Sequence, residues 1–322
     1  MGLFSQENTI KCGKCRTEFD LSKNKDGCPL CGFGRKVVEE NPVKKEELVF
    51  EERSEGDFSF LNIPPSIKVK SGQVTVDDET KIWGSWLMFN DFFAVKFLAR
   101  VLAWKIKNEN TDYIILDSLI TDYEKTITKY GLSSLKGFPN DVKNEASVGR
   151  LVNHFLATGT KMGLFEVRAK NKQSKNVWKE YWDNLEVTIT KEGLEFARIE
   201  NKIFDKGEKE QTLTGEEKNW LVIYLKQIDK KGYREYSVLK GVYDFLKKGN
   251  NGNSALWAWF ENNEEFQDYI KQRSKRAKDD PRVFKKQLSN YARSFASAKI
   301  SLLREMGVVR DKRNDYTILG EL

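Results

Sequence analysis

Residues 188–198 read TITKEGLEFAR, and within this stretch the chain changes from a strand pattern to a helix pattern. Apolar and polar residues alternate up to Ile189, as they do in a strand that buries one face. Thr190 can then cap a helix by accepting a backbone hydrogen bond, and Gly193 can lie close to a neighbouring segment because it has no side chain. The stretch therefore predicts a strand that leads directly into a helix.

The residues before this stretch predict three helices and a hairpin. Apolar residues recur close to helical spacing at about 83–107, 112–130 and 140–163. Residues 164–167 (LFEV) and 185–189 (LEVTI) are typical of strands, and the polar segment between them, which contains four lysines, predicts a long basic loop. This part of the chain is therefore predicted to be helical with one hairpin at its end.

Helices followed by a hairpin with a basic loop resemble a winged helix-turn-helix domain, and residues 188–198 resemble the exit from the wing in such domains. The resemblance implies that the helix before the wing, about residues 146–162, is the recognition helix. Its candidate exposed residues are Lys143, Arg150, Asn153, Thr158 and Lys161. Because this helix is only weakly basic, an architectural role or dimerisation fits it as well as DNA contact does.

The last third of the chain predicts a second set of helices. Residues 214–217 (TGEE) have the spacing of a capping box, in which a threonine and a glutamate cap each other's backbone. Helical patterns follow at about 216–230, 237–248 and 254–269.

A long helix and a hairpin complete this region. Asp280 and Pro281 form an N-cap and first-turn pair that opens a helix to about Met306, and Gly307 is a natural stop. Residues 308–319 predict a short hairpin with a basic tip. The last third of the chain therefore also resembles a winged helix.

Positive charge is concentrated in the same region. The chain has a formal net charge of +7, but residues 268–313 contain fourteen lysines and arginines against five acids, a local net charge of +9. The rest of the chain therefore sums to −2. A local positive surface is what binding of a polyanion requires, so nucleic acid is the predicted partner. The competing interpretation is a solvated basic face on an ordinary helical domain.

Three groups of residues are predicted to contact DNA, because cations neutralise phosphates and one helix fits the major groove. The residues assigned to phosphate contact are Lys271, Arg273, Lys275, Arg276 and Lys278. The groove-facing residues of the long helix are Arg282, Lys285, Lys286, Gln287, Asn290 and Arg293. The residues at the hairpin tip, which would reach a second phosphate track or the minor groove, are Arg310, Lys312 and Arg313.

The four cysteines form two Cys-x-x-Cys pairs, Cys12 with Cys15 and Cys28 with Cys31. Cysteines at this spacing can present both thiolates to one tetrahedral metal ion. The segment resembles the zinc-ribbon family, and the resemblance implies one structural Zn²⁺ held by all four thiolates. A redox dithiol, an iron–sulfur site and disulfides are the alternative interpretations.

The sequence therefore predicts a mainly α chain with small β-hairpins, built as a zinc ribbon and two winged-helix-like domains. The predicted segments are a zinc ribbon at 1–34, a charged linker and strap at 35–76, a first winged-helix-like domain at 77–205 and a second, with the basic surface, at 206–322. We see neither a signal peptide nor a membrane-spanning pattern, so we expect a cytoplasmic protein with no membrane partner.

No catalytic constellation is evident in the sequence. His154 is the only histidine and lies in an apolar helix pattern, where a packed or half-exposed side chain is the expectation. We find no phosphate-binding loop and no dinucleotide fingerprint, and we expect no small-molecule substrate. A nuclease built from dispersed acids is left open.

The predicted function is a non-catalytic factor that binds nucleic acid, with double-stranded DNA as the first choice, such as a transcriptional regulator. The alternative is a structural or adaptor subunit of a larger assembly, in which the winged helices and the ribbon bind protein or the chain associates with itself. Aromatic residues such as Trp257, Trp259 and Phe260 would then mark the interfaces.

The cysteine pattern makes a direct prediction about metal content. Purified protein should contain one zinc ion per chain by elemental emission spectroscopy, and Cys28→Ser should lose most of it, because structural zinc sites need all four ligands. A visible absorption band with bound iron, or metal-free protein with two disulfides, would contradict the zinc assignment.

Overall fold

A computed structural model describes residues 67–84, 91–129, 145–170, 182–203, 213–312 and 315–322, together with the backbone of 9–11 and 18–20. The chain forms two compact units, Met1–Glu52 and Arg53–Leu322. In the first unit, strands β1 (Thr9–Lys11) and β2 (Glu18–Asp20) pair antiparallel. The four cysteines lie outside the described residues, so the zinc ribbon stays a prediction.

The second unit is mainly helical. Helices hold 66% and strands 10% of the described residues, which confirms the prediction of a mainly α chain with small antiparallel sheets. The described helices of its first half are α1 (Thr80–Trp83), α2 (Asp91–Glu109), α3 (Leu116–Lys129), α4 (Glu145–Lys161) and α5 (Lys191–Arg198). Those of its second half are α6 (Gly215–Asp229), α7 (Glu235–Lys247), α8 (Asn253–Glu261), α9 (Glu264–Arg273), α10 (Lys275–Asp279) and α11 (Pro281–Glu305). The strands are β3 (Ile114–Ile115), β4 (Phe165–Ala169), β5 (Leu185–Ile189), β6 (Val309–Lys312) and β7 (Asp315–Ile318).

Both halves of this unit contain a hairpin whose second strand has a further partner. In the first half the strand order is β3-β5-β4, and Val187 lies between Ile114 and Val167. In the second half β6 pairs with β7, and Gly252, just before α8, forms an isolated bridge to Asp315 of β7. The order helix, short extended segment, helices and hairpin therefore occurs twice.

The capping interactions predicted from the sequence are confirmed. The Thr190 hydroxyl accepts a hydrogen bond from the Gly193 amide at 3.1 Å. Thr214 and Glu217 form the reciprocal capping box at the start of α6. The Asp280 carboxylate accepts hydrogen bonds from the first amides of α11, with Pro281 in the first turn. Each of these helices begins where local hydrogen bonding predicts.

Three predicted helix boundaries are wrong. The helix predicted over about 83–107 is not continuous from residue 83, because α1 ends at Trp83 and Gly84 adopts a φ of 69°, and α2 is described from Asp91. The helix predicted from residue 112 loses its first residues to β3, which pairs with β5. The helix predicted over 254–269 is two helices, because the Asn263 side chain accepts a hydrogen bond from the Phe266 amide and starts α9.

One connected cluster of buried apolar residues runs through both halves. Trp83 contributes to it from α1, and its ring meets Phe266 edge-to-face at 4.6 Å and Phe260 at 5.3 Å. The two segments predicted as separate domains therefore both lie in the unit Arg53–Leu322, and the boundary predicted near residue 205 stays a prediction. No described helix combines the length and the apolar character that crossing a membrane requires.

A buried ion pair joins the two halves. The Lys96 ammonium group of α2 contacts the Glu217 carboxylate of α6, and both side chains are inaccessible to solvent. The Asn201 amide donates to both Glu217 oxygens at 2.9 and 3.0 Å, and Lys96 also donates to the Ile199 carbonyl at 2.6 Å. Since an unpaired buried charge is costly, α2 and α6 require each other.

Two further buried carboxylates bind α11 to its neighbours. Glu235 of α7 pairs with Lys299 of α11 at 2.6 Å, and both side chains are buried. Glu305, at the end of α11, accepts hydrogen bonds from the amides of Phe92 and Phe93 at the start of α2. A carboxylate at a helix N-terminus is electrostatically favourable, so this contact fixes the end of α11 against α2.

Breaking the buried pair should destabilise the whole unit. Lys96→Met leaves the Glu217 carboxylate without its cation, so we expect the free energy of unfolding in urea to fall by about 3–5 kcal/mol. The double variant Lys96→Met with Glu217→Gln should recover part of this loss because neither charge remains. The control Lys240→Met, at a half-exposed pair with Asp244, should cost at most about 0.5 kcal/mol. Equal losses for Lys96→Met and Lys240→Met would contradict the role given to the buried pair.

Gly193 should tolerate no side chain. A Cβ atom there would lie 2.1 Å from the Leu164 carbonyl oxygen, so Gly193→Ala forces α5 away from Leu164, the residue before β4, and should cost about 1–3 kcal/mol. Gly215, at the start of α6, has open space around it, and Gly215→Ala should be neutral or stabilise by up to about 1 kcal/mol. Thermal unfolding of both variants measures the difference, and similar melting temperatures would contradict the close approach.

Candidate nucleic-acid interface

The basic residues around the junction of α10 and α11 form one exposed surface, which we call the cationic corner. Its members are Lys275, Arg276, Lys278, Arg282, Lys285 and Lys286. All six side chains are exposed, and across the ranges that the structure describes none of them has a carboxylate within ion-pair distance. Elsewhere many cations are paired, as in Lys161 with Asp77 at 2.7 Å and Arg234 with Glu265 at 2.8 Å.

Two successive N-caps create this corner. The Ser274 hydroxyl accepts a hydrogen bond from the Ala277 amide at 3.2 Å and starts α10, whose Ala277 side chain is buried. Asp280 then ends α10 and caps α11, so the Asp280 carboxylate is occupied by backbone amides. The short helix therefore turns its three cations outward beside the first turns of the long one.

The exposed face of α11 extends the corner along the helix. Arg282, Lys286, Asn290 and Arg293 are exposed and follow one another at intervals of four, four and three residues, which places them on one face. At 1.5 Å per residue this stripe is about 16 Å long. The buried residues of the same helix are on other faces and include Leu288, Ala292, Phe295 and Lys299.

Arg273, one of the predicted phosphate contacts, has partners within the chain. Its guanidinium donates to the Glu79 carboxylate at 3.0 Å and to the Tyr269 hydroxyl. Burial acts to lower the pKa of Arg273, but the hydrogen bonds to Tyr269 and Glu79 outweigh it and raise the pKa above its ordinary value. Burial also raises the pKa of Tyr269 to about 12, so its hydroxyl remains protonated at neutral pH. Arg273 thus ties α9 to the residues before α1.

Lys271 and Gln287 also have partners inside the chain. The Lys271 ammonium group lies 3.3 Å from the Asp268 carboxylate and 5.4 Å from the centre of the Phe284 ring. Gln287 is half-buried, and its side-chain amide donates to the Ser274 hydroxyl at 3.2 Å. Gln287 therefore faces the start of α10, whereas the sequence pattern predicted that it faces the DNA groove.

Of the three cations predicted on the hairpin, Arg310 is the one whose side chain the structure describes. Arg310 of β6 is exposed and lies opposite Thr317 of β7. Lys312 belongs to β6, but its side chain is not among those described, and Arg313 lies outside the described residues.

Arg293 has an aromatic neighbour that sequence spacing did not indicate. Its guanidinium carbon lies 4.7 Å from the centre of the Trp257 ring on α8. The two residues are far apart in the sequence, so only the packing of α8 against α11 brings them together.

The helix before the first hairpin offers fewer exposed groups than predicted. The Thr158 side chain of α4 is buried in the protein, with 7% of its surface exposed. The Lys161 side chain pairs with Asp77. Lys161 is paired because residues 67–77 pack against the end of this helix, as in the hydrogen bond from the Thr75 amide to the Lys161 carbonyl. The side chains of Arg150 and Asn153 are not described, and Lys143 lies outside the described residues.

The described part of the chain contains no group of three His, Cys, Asp or Glu side chains placed to hold a metal ion. The predicted ligands Cys12, Cys15, Cys28 and Cys31 lie outside it. His154 is half-buried, with its ring 5.8 Å from that of Phe155, as the sequence led us to expect.

Comparison of the chain with protein-family models, with curated proteins and with solved structures gives no match. The functional inference therefore depends on the chain's own residues.

Proposed function

We propose that this protein is a non-catalytic, double-stranded DNA-binding factor, such as a transcriptional regulator, that binds through its C-terminal basic surface. The observation that carries the proposal is the cationic corner, six exposed cations within residues 275–286 that have no carboxylate partner among the described residues. Like charges at this density repel one another, and a polyanion that binds them lowers their electrostatic energy. Phosphates of a duplex supply such charges at regular spacing.

The order of elements supports a winged-helix interpretation of both halves. In each half a helix leads to a short extended segment, then to further helices and a hairpin whose second strand pairs with that segment. In the second half the long helix α11 directly precedes the hairpin, so it holds the position of the recognition helix in such a domain. The exposed stripe along α11 would enter the major groove, while the three cations of α10 and Arg310 would contact phosphates.

The N-terminal segment is proposed to add a zinc ribbon. Cys12, Cys15, Cys28 and Cys31 would hold one Zn²⁺ as thiolates, and the metal would supply the folding free energy of a segment too small to build a large core. The ribbon would dock a protein partner or additional DNA.

A second candidate function is an adaptor subunit, and two features of the surface favour it. Ile223 is 58% exposed on α6 and Leu319 is 50% exposed after β7. An open groove between α7 and α8 is lined by Phe245 and Trp259, both half-buried. Apolar contacts of this kind would depend little on salt, whereas phosphate contacts weaken steeply as salt is added.

Salt-dependent binding tests the first candidate. Fluorescence anisotropy of zinc-loaded protein with a random duplex should give an affinity that falls linearly with salt on a log–log plot. Changing Lys275, Arg276, Lys285 and Lys286 to alanine should abolish most of the binding. It should also make the slope shallower by up to about 0.9 for each phosphate that these side chains no longer neutralise.

The matched control removes the same charge elsewhere. Lys107, Lys230, Lys231 and Lys248 are exposed lysines outside the basic region, and changing these four to alanine should leave most of the affinity. Absent binding by the parent, or equal losses in the two quadruple variants, would overturn the DNA proposal and favour the adaptor.

A further inference from the structure

Two arginines of the basic region use their guanidinium groups in opposite ways. Arg273 directs its N–H donors to Glu79 and Tyr269 inside the chain. Arg293 lies over the Trp257 ring and, among the described residues, has no carboxylate within ion-pair distance. A cation–π contact engages the charge of a guanidinium without taking up its N–H donors, and among the described residues Arg293 donates no hydrogen bond. Arg293 is thus charged, exposed and still able to donate hydrogen bonds.

Trp257 is placed to hold Arg293 in one orientation. The indole is half-buried and packs against the hydrophobic core from α8, whereas Arg293 is exposed on α11. A ring anchored in the core moves less than a surface side chain, so the guanidinium that rests on it is restrained before any ligand binds. Restraint of this kind reduces the entropy lost on binding.

The position of Arg293 separates it from the cationic corner. It lies seven residues, about two turns, beyond Lys286 on the same exposed stripe, with the Asn290 amide between them. If the cations of α10 rest on phosphates and the exposed stripe of α11 enters the major groove, Arg293 lies about two turns farther along the groove-facing helix than Lys286 and can meet the base edges. There, two parallel guanidinium donors match the O6 and N7 acceptors of guanine.

We propose that Trp257 is a positioning residue that holds Arg293 for bidentate contact with guanine in the major groove, which makes Arg293 a determinant of base preference. The inference rests on the proposed function, because it requires that α11 meet a duplex. Phosphate oxygens offer the same pair of acceptors, so the test has to separate a base contact from a backbone contact.

A modified duplex distinguishes a contact with the base from a contact with the phosphate backbone. Replacing every guanine of a mixed-sequence duplex by 7-deazaguanine removes the N7 acceptor and keeps all phosphates and base pairs. By anisotropy, the zinc-loaded parent protein should bind the natural duplex about tenfold more tightly than the modified one, since a bidentate base contact is worth roughly that discrimination.

Three variants test whether the preference for the natural duplex depends on Arg293 and Trp257. Arg293→Lys keeps the charge but loses the planar pair of donors, so it should lose the preference while its affinity for the modified duplex stays within about twofold. Trp257→Ala should also lose the preference, and Trp257→Phe, which retains a ring, should keep most of it. Thermal unfolding checks that each variant is folded. If Trp257→Ala does not fold, Arg293→Lys still tests the base contact, because Arg293 lies outside the core, and Trp257→Phe still tests the ring.

Different results would contradict the Arg293–guanine contact and the proposed DNA-binding function. Equal binding of natural and modified duplexes by the parent would assign Arg293 to the backbone and overturn the base contact. A full preference in Trp257→Ala would overturn the positioning role. If the parent bound neither duplex, the proposed function itself would fail and this inference with it.

Discussion

The Lys96 ammonium group and the Glu217 carboxylate meet inside the second unit with both side chains fully buried. Removing such groups from water costs several kcal/mol for each ion, so neither helix can pack without the partner that the other supplies. Asn201 and the Ile199 carbonyl take up remaining hydrogen-bonding groups of the pair. Because α2 belongs to the first half and α6 opens the second, the relation between the halves depends on this contact.

Buried charge and exposed charge are segregated along α11. Its C-terminal half carries Lys299, which pairs with Glu235, and Glu305, which caps α2. Its N-terminal half carries Arg282 and Lys286, which are exposed and have no ion-pair partner among the described residues. One end of the helix is therefore held in the core by charged contacts, and the other end presents an exposed cationic face. A helix face of this kind is suited to a ligand of regular geometry, such as a duplex.

The cations of the basic region divide by what they contact. Arg273 and Lys271 form ion pairs with Glu79 and Asp268, whereas the members of the cationic corner form no ion pair within the described residues. These exposed cations repel one another and, in the part of the chain that the structure describes, form no ion pair that stabilises the fold, which is the basis on which we propose a polyanionic ligand. Arg293 is intermediate, since its partner is a ring that leaves its donors available.

The sequence by itself determined the features that depend on neighbouring residues. The mainly helical class, the two hairpins and the helix starts at Thr190, Thr214 and Asp280 follow from short-range apolar spacing and capping hydrogen bonds. The density of positive charge in residues 268–313 is likewise a property of composition. These features need no knowledge of distant packing.

Only the tertiary structure decided the features that depend on residues far apart in the chain. Strand β3 replaced the start of a predicted helix because β5, which follows much later in the chain, offers it hydrogen bonds. Thr158 became buried, and Arg273 acquired Glu79 as a partner across 194 residues. The contact between Trp257 and Arg293 likewise depends on the packing of α8 against α11. A side chain's availability to a ligand is set by what packs against it, and in this protein those neighbours come from distant parts of the chain.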